Sequence, residues 1–116
     1  MSTTRLARVE RQIIRDATTI ILEELKDPRI GFVTITGAEL TPDFHYVKLF
    51  VSILGTPEEQ EACLAALKHS EHFIRGKLGQ RMRLRYTPEV SFLQDDSLEH
   101  TSRIFKLLDE IKQKEK

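Results

Sequence analysis

Apolar residues recur at three- and four-residue intervals through the first part of the chain. Leu6, Val9, Ile13, Ala17 and Ile20 fall on one helical face, and Arg5, Arg8, Arg11 and Arg15 fall together on another. The pattern predicts an amphipathic helix from about Thr3 to Lys26 with a basic exposed stripe. Asp27-Pro28 ends it, because the residue before a proline is driven out of the right-handed helical region. Glu10 lies toward the apolar side and is a defect in the pattern. After Gly31 the period changes to two. In FVTITGAEL, Val33 and Ile35 alternate with Thr34 and Thr36, which predicts a strand. TPDFH reads as a turn. YVKLFVSIL gives a second strand, with Val47, Leu49, Val51 and Ile53 on one face and Lys48, Phe50 and Ser52 on the other. A turn this short makes the pair antiparallel.

Thr56-Pro57-Glu58-Glu59 is a helix start: an N-cap hydroxyl, a proline at the first position and a glutamate that closes a capping box. Cys63, Leu64, Leu67, Ile74 and Leu78 form a broad apolar face. The polar run His69-Ser70-Glu71-His72 interrupts it, and Phe73 is out of phase with Leu67 and Ile74 on a straight helix. A break near Ser70 is therefore expected, giving two helices, with Gly79 ending the second. A third strand is most secure from Glu89 to Leu93, with Val90 and Phe92 inward. Asp96 can cap a last helix carrying Ile104, Leu107, Leu108 and Ile111, followed by a solvated KQKEK tail. The order α-β-β-α-α-β-α predicts an α+β fold, a three-stranded sheet with helices on one side. One domain spans residues 1–116, with a core over about 1–95 and a C-terminal helix and charged tail over 96–116.

Charge changes the picture through its distribution. The 18 basic and 18 acidic residues cancel, so net charge does not point to a partner. The stretch RGKLGQRMRLR, however, holds Arg75, Lys77, Arg81, Arg83 and Arg85 without an acid, and Arg5 to Arg15 is similarly basic. Arginine dominates both clusters, and its planar fork matches phosphate. These clusters point to nucleic-acid contact, and to irregular RNA more than duplex DNA, since the pattern shows neither a helix-turn-helix nor a zinc finger. Acids gather at Glu58 to Glu61 and Asp95 to Glu99. The alternative function is therefore a protein-interaction module acting through an acidic face.

Catalytic chemistry finds little support. His69 and His72 are spaced for one helix face but lack a third ligand. Cys63 sits among alanines and leucines, whereas reactive thiols need electropositive, accessible surroundings. No serine elbow, phosphate-binding glycine loop or paired-carboxylate motif is present. The expectation is a non-enzyme without metal or cofactor. With no apolar run of membrane length, no apolar signal core and a lone cysteine, it is expected to be cytoplasmic.

Gly76-Lys77-Leu78-Gly79 matches GxxG, the loop that clamps a nucleic-acid backbone in KH domains, but Gly79 as a helix end explains that glycine without RNA and is the favoured reading. Longer segments carry a more specific signal. RLARVERQIIRDATTIILEELKDPRIGFVTIT, TPDFHYVKLFVSILGTPEE and FIRGKLGQRMRLRYTPEVSFLQDDSLEHTSRI occur in this order, and the chain resembles the ribosome-binding factor A family over nearly its whole length. The resemblance implies a type II KH-like fold in which a helix-kink-helix with an alanine-any-glycine triplet replaces the GxxG loop. The matching positions are Ser70, Glu71 and His72, so both ends of the triplet differ here. A left-handed backbone at His72 would cost roughly 1 kcal/mol or more. The resemblance also implies a monomer that binds the free 30S subunit and the 16S rRNA precursor during late maturation and 5′-end processing, with importance for growth in the cold. The basic clusters would then face rRNA phosphate.

Overall fold

The computed structural model describes residues 2–95. The expected C-terminal helix and tail lie outside the described residues. Helix α1 spans Ser2–Glu23 and buries Ile13, Ala17, Ile20 and Ile21. Full burial of an isoleucine contributes about 1.5–3 kcal/mol, so this stripe fixes the helix to the sheet. The helix stops before the Asp27-Pro28 pair that was expected to end it. Glu24 and Leu25 both donate their N–H groups to the Ile20 carbonyl, at 2.8 and 3.2 Å, which closes the last turn early.

Strands β1 (Val33–Leu40) and β2 (Tyr46–Ile53) pair antiparallel, with a bulge between Ile35 and Gly37. Strand β3 (Glu89–Gln94) joins β2 in parallel, giving the mixed order β1-β2-β3. A parallel neighbour needs a long crossover. Here it consists of α2 (Pro57–His69) and α3 (Glu71–Met82). Thr56 caps α2 with the expected capping box: its hydroxyl accepts from Glu59 N–H at 3.1 Å, and the Glu59 carboxylate accepts from Thr56 N–H at 3.1 Å. These hydrogen bonds lower the Glu59 pKa. Val47, Leu49, Val51, Ile53, Val90 and Phe92 meet the helices in one core, whereas Lys48, Ser91 and Leu93 remain on the opposite, open face. The α+β, one-sided architecture is the one expected from the residue pattern, and it agrees with a KH-like fold.

Each edge strand has one outward N–H taken by a helix glutamate. The outward N–H of Leu40 on β1 donates to Glu10 Oε2 at 2.8 Å. The outward N–H of Phe92 on β3 donates to Glu71 Oε2 at 2.7 Å. Glu10, a defect in the helical pattern, thus satisfies a partly buried backbone donor that would otherwise carry a desolvation cost.

One glycine expectation changes. Gly79 does not end α3, which continues to Met82. A Cβ at Gly79 would lie 2.6 Å from Thr87 Oγ1, so a side chain there would overpack against the connection to β3. The left-handed cap position is taken by Arg83 (φ 53°), whose N–H donates to the Gly79 carbonyl at 3.2 Å.

Candidate nucleic-acid interface

The expected break falls at Ser70, between α2 and α3, with φ −94° and ψ 2°. Its N–H is shared between the Ala66 and Leu67 carbonyls at 3.1 and 3.0 Å. Its hydroxyl donates to the Ala66 carbonyl at 3.0 Å, a back-bond that bends helices. His72 lies in the first turn of α3 and keeps a negative φ, so histidine meets no left-handed strain there. Past the kink, Ile74 is fully buried. Phe73, out of phase with Leu67 and Ile74, remains 43% exposed with Lys77 Nζ 5.5 Å from its ring centre. The GKLG run lies within α3 and forms no loop.

A groove leads away from the kink. Its first part, about 360 Å³, runs between Lys68, His69, His72 and Arg75 and the Glu89–Ser91 edge of β3. Its second, about 380 Å³, shares His72 and Arg75 and adds Gly76, Arg85 and Tyr86. Its third, about 290 Å³, shares Arg85 and Tyr86 and reaches Phe44 and Arg5. Each part thus shares two lining residues with the next, and the three follow one another from the kink to the start of α1. The first turn of α1, at the positive end of its dipole, holds no acid of its own.

The cations expected to act here divide into three sets. Arg75 is partly committed to the fold: Nε donates to the Thr87 carbonyl at 3.2 Å, and Nη1 lies 3.8 Å from Glu89. Lys77 lies 3.6 Å from Glu24, and Arg81 lies 3.9 Å from Glu23. The expectation that the cluster lacks acidic partners is thereby corrected. Folding brings Glu23, Glu24 and Glu89 against it from other elements. These pairs are long and partly exposed, so each holds its cation by only about 0–1 kcal/mol. Arg83 and Arg85 are exposed and have no ion-pair partner among the described residues. Arg5, Arg8, Arg11 and Arg15 are likewise exposed on α1. Folding brings Arg5 to Arg85 at one end of the groove. Lys77, Arg81, Arg83, Arg8, Arg11 and Arg15 line none of its three parts.

Aromatic residues, not singled out from the sequence, complete this end. Arg5 Cζ lies 5.4 Å from the Phe44 ring centre, and Arg85 Cζ lies 5.7 Å from that of Tyr86. His45 makes edge contacts with Tyr46 and Tyr86, with centroids 6.4 and 6.2 Å apart. A turn holds this group in place. Asp43 Oδ1 accepts from Thr41 Oγ1 at 2.6 Å and from His45 N–H at 3.0 Å, which lowers the Asp43 pKa. Phe44 N–H donates to the Thr41 carbonyl at 2.8 Å. The sequence signals were an aromatic run, FHY, within a turn and a tyrosine directly after RLR.

The other candidates lie apart from this chemistry. Cys63 is buried in the core. His69 and His72 both reach the groove, but no set of three or more His, Cys, Asp or Glu gathers as a metal site among the described residues. No described helix is long and apolar enough to cross a membrane.

Residues 5–108 match the family model described as ribosome-binding factor A. A ribosome-binding factor A from Gloeobacter violaceus is 47% identical over 118 residues, covering 99% of this chain and 92% of the relative. The solution structure of a putative ribosome-binding factor A from Thermotoga maritima matches with TM-score 0.70 and 35% identity, over 78% of this chain and 87% of that one. A homology model of the Thermus thermophilus ribosome-binding factor A, fitted into a cryo-electron microscopy map of a 30S complex, matches with TM-score 0.65 and 27% identity. It covers 78% of this chain and 96% of the other. With its family match spanning both helix-forming basic segments and the whole sheet, this chain belongs to the ribosome-binding factor A family.

Proposed function

We propose that this protein is a non-catalytic assembly factor that binds the free 30S subunit as a cytoplasmic monomer, contacting the 16S rRNA precursor during late maturation and 5′-end processing and supporting growth in the cold. Its single domain would extend through the C-terminal segment. Membership of a family named for ribosome binding carries this proposal, together with the 30S complex of the Thermus thermophilus relative. The arginine-lined groove supports RNA as the contacted component. Arg5 and Arg85 in the groove, and Arg83 outside it, have no ion-pair partner among the described residues, while Arg75 in the groove and Lys77 and Arg81 outside it can exchange weak acidic partners for phosphate. Contacts of this kind hold a particular rRNA shape without reading base sequence.

Cosedimentation with purified 30S subunits across a salt series tests the proposal. Wild type should lose affinity steeply as salt rises. Gln at Arg83 and Arg85 should flatten the logarithmic slope by roughly 0.7–0.9 per lost phosphate contact. Identical binding of wild type and variant at every salt concentration would overturn the assignment of these arginines. Cells lacking the protein should accumulate 16S precursor with an unprocessed 5′ end at low temperature.

A further inference from the structure

We infer that the cleft between Phe44 and Tyr86 takes one unpaired nucleobase by stacking, with Arg5 and Arg85 moving onto the flanking phosphates. The inference rests on the RNA-binding proposal and specifies what that RNA must present, an unstacked base in a single strand.

Three observations converge on this cleft. First, two aromatics line one cleft, Phe44 half-buried against the core and Tyr86 63% exposed. Its edge contact with His45, at 73° between rings, fixes its orientation. Second, each aromatic has an arginine over its ring, Arg5 on Phe44 and Arg85 on Tyr86, and neither arginine has an ion-pair partner among the described residues. An exposed cation–π contact holds its cation by a factor of only about 2–5. Stacking of a base on an aromatic strengthens binding by about 5- to 150-fold. The exchange is therefore favourable: the base replaces the guanidinium over the ring, and the displaced guanidinium meets the phosphate that accompanies the base. Third, Phe44 occupies a left-handed conformation, φ 63°, where a bulky residue is strained. The Thr41 and Asp43 hydrogen bonds brace this turn, where Phe44 packs in part against the core and lines the cleft.

Asp43 also borders the cleft, and its charge opposes phosphate. Its Oδ1 is occupied by Thr41 and His45, and His45 Nδ1 lies 3.5 Å from Oδ2. This anion places the phosphates on the Arg5 and Arg85 sides of the cleft and leaves the centre to the base. A duplex hides base faces within its own stack, so it would not use this cleft.

The test uses a short uridine-rich RNA with one central 2-aminopurine, whose emission changes on stacking, as a single strand and annealed to its complement. Full-length wild type should quench the single strand and leave the duplex emission unchanged. Tyr86→Ala should abolish quenching and weaken single-strand binding by about 5- to 150-fold, whereas Tyr86→Phe should retain both. Circular dichroism melts would confirm that the variants fold. Salt-dependent 30S binding with no quenching by wild type, or with quenching unchanged in Tyr86→Ala, would overturn the stacking site and leave the RNA-binding proposal standing. Salt-independent binding to 30S together with no binding to either RNA would overturn both.

Discussion

Gly79→Ala tests whether α3 and the connection to β3 touch as closely as described. At an ordinary position inside a helix, this change should stabilise the protein by about 1 kcal/mol, because alanine has the better helix propensity. Here the new Cβ would fall 2.6 Å from Thr87 Oγ1, 3.6 Å from its Cβ and 3.7 Å from its Cγ2. Thr87 cannot slide aside easily, since its carbonyl holds Arg75 and the next residue, Pro88, is buried. Overpacking of this kind costs about 1–3 kcal/mol, which exceeds or cancels the propensity gain. The net expectation is a loss of about 0–2 kcal/mol. Thr87→Ala removes Oγ1 and Cγ2, so combining it with Gly79→Ala should recover the propensity gain. Urea melts of the four proteins give a double-mutant cycle, with an expected favourable coupling of about 1–3 kcal/mol. Tyr86 and Arg85 adjoin Thr87, so the single Gly79→Ala variant should also bind 30S subunits less tightly, and the double variant should recover. A full gain of about 1 kcal/mol from Gly79→Ala alone, with purely additive behaviour, would refute the close contact.

Three further outcomes can be measured. Glu71→Ala and Glu10→Ala should each cost about 1–3 kcal/mol in urea melts by orphaning the Phe92 or Leu40 N–H, with near-additive effects at opposite sheet edges and smaller losses for glutamine. Asp27, held to a pKa of about 2 by its hydrogen bonds to the Arg29 side chain and backbone, stabilises the fold above its ordinary value of 3.8 and loses that contribution as pH falls through about 2. Asp27→Asn should therefore make stability less dependent on pH in this acid window, as followed by circular dichroism. Ser70→Leu should remove the back-bond to Ala66 and reduce 30S binding more than it reduces stability, whereas His72→Gly should cost up to about 1 kcal/mol because His72 already has helical backbone.

The features legible in the sequence were those set by neighbouring residues. The kink at Ser70 showed as the polar run His69-Ser70-Glu71-His72, whereas the out-of-phase Phe73 was no guide, since it stays exposed. The capping box at Thr56 and Glu59 showed in four consecutive residues. The features that were missed depend on partners distant in sequence. Gly79 near a helix end is equally consistent with a cap and with a close contact, and only the approach of Thr87 decides between them. Glu10 looked misplaced until Leu40 supplied its donor. The basic run looked unaccompanied because Glu23 and Glu24 reach it from α1. Phe44 and Tyr86 drew no attention because they belong to different connections and become neighbours only across the finished sheet.

The parallel pairing of β2 with β3 has a consequence for the order of assembly. The β1–β2 hairpin closes through a short turn, an event of about 1–10 μs. Strand β3 can join only after α2 and α3 bring it back, and the entropy of closing that crossover is spent before the contacts that offset it form. Phe44 belongs to the early hairpin, whereas Tyr86 arrives with the late strand. A chain halted between these steps presents half a cleft. RNA held across both halves would therefore act as a clasp on the final docking step, slowing detachment of β3 while leaving the hairpin's own opening unchanged.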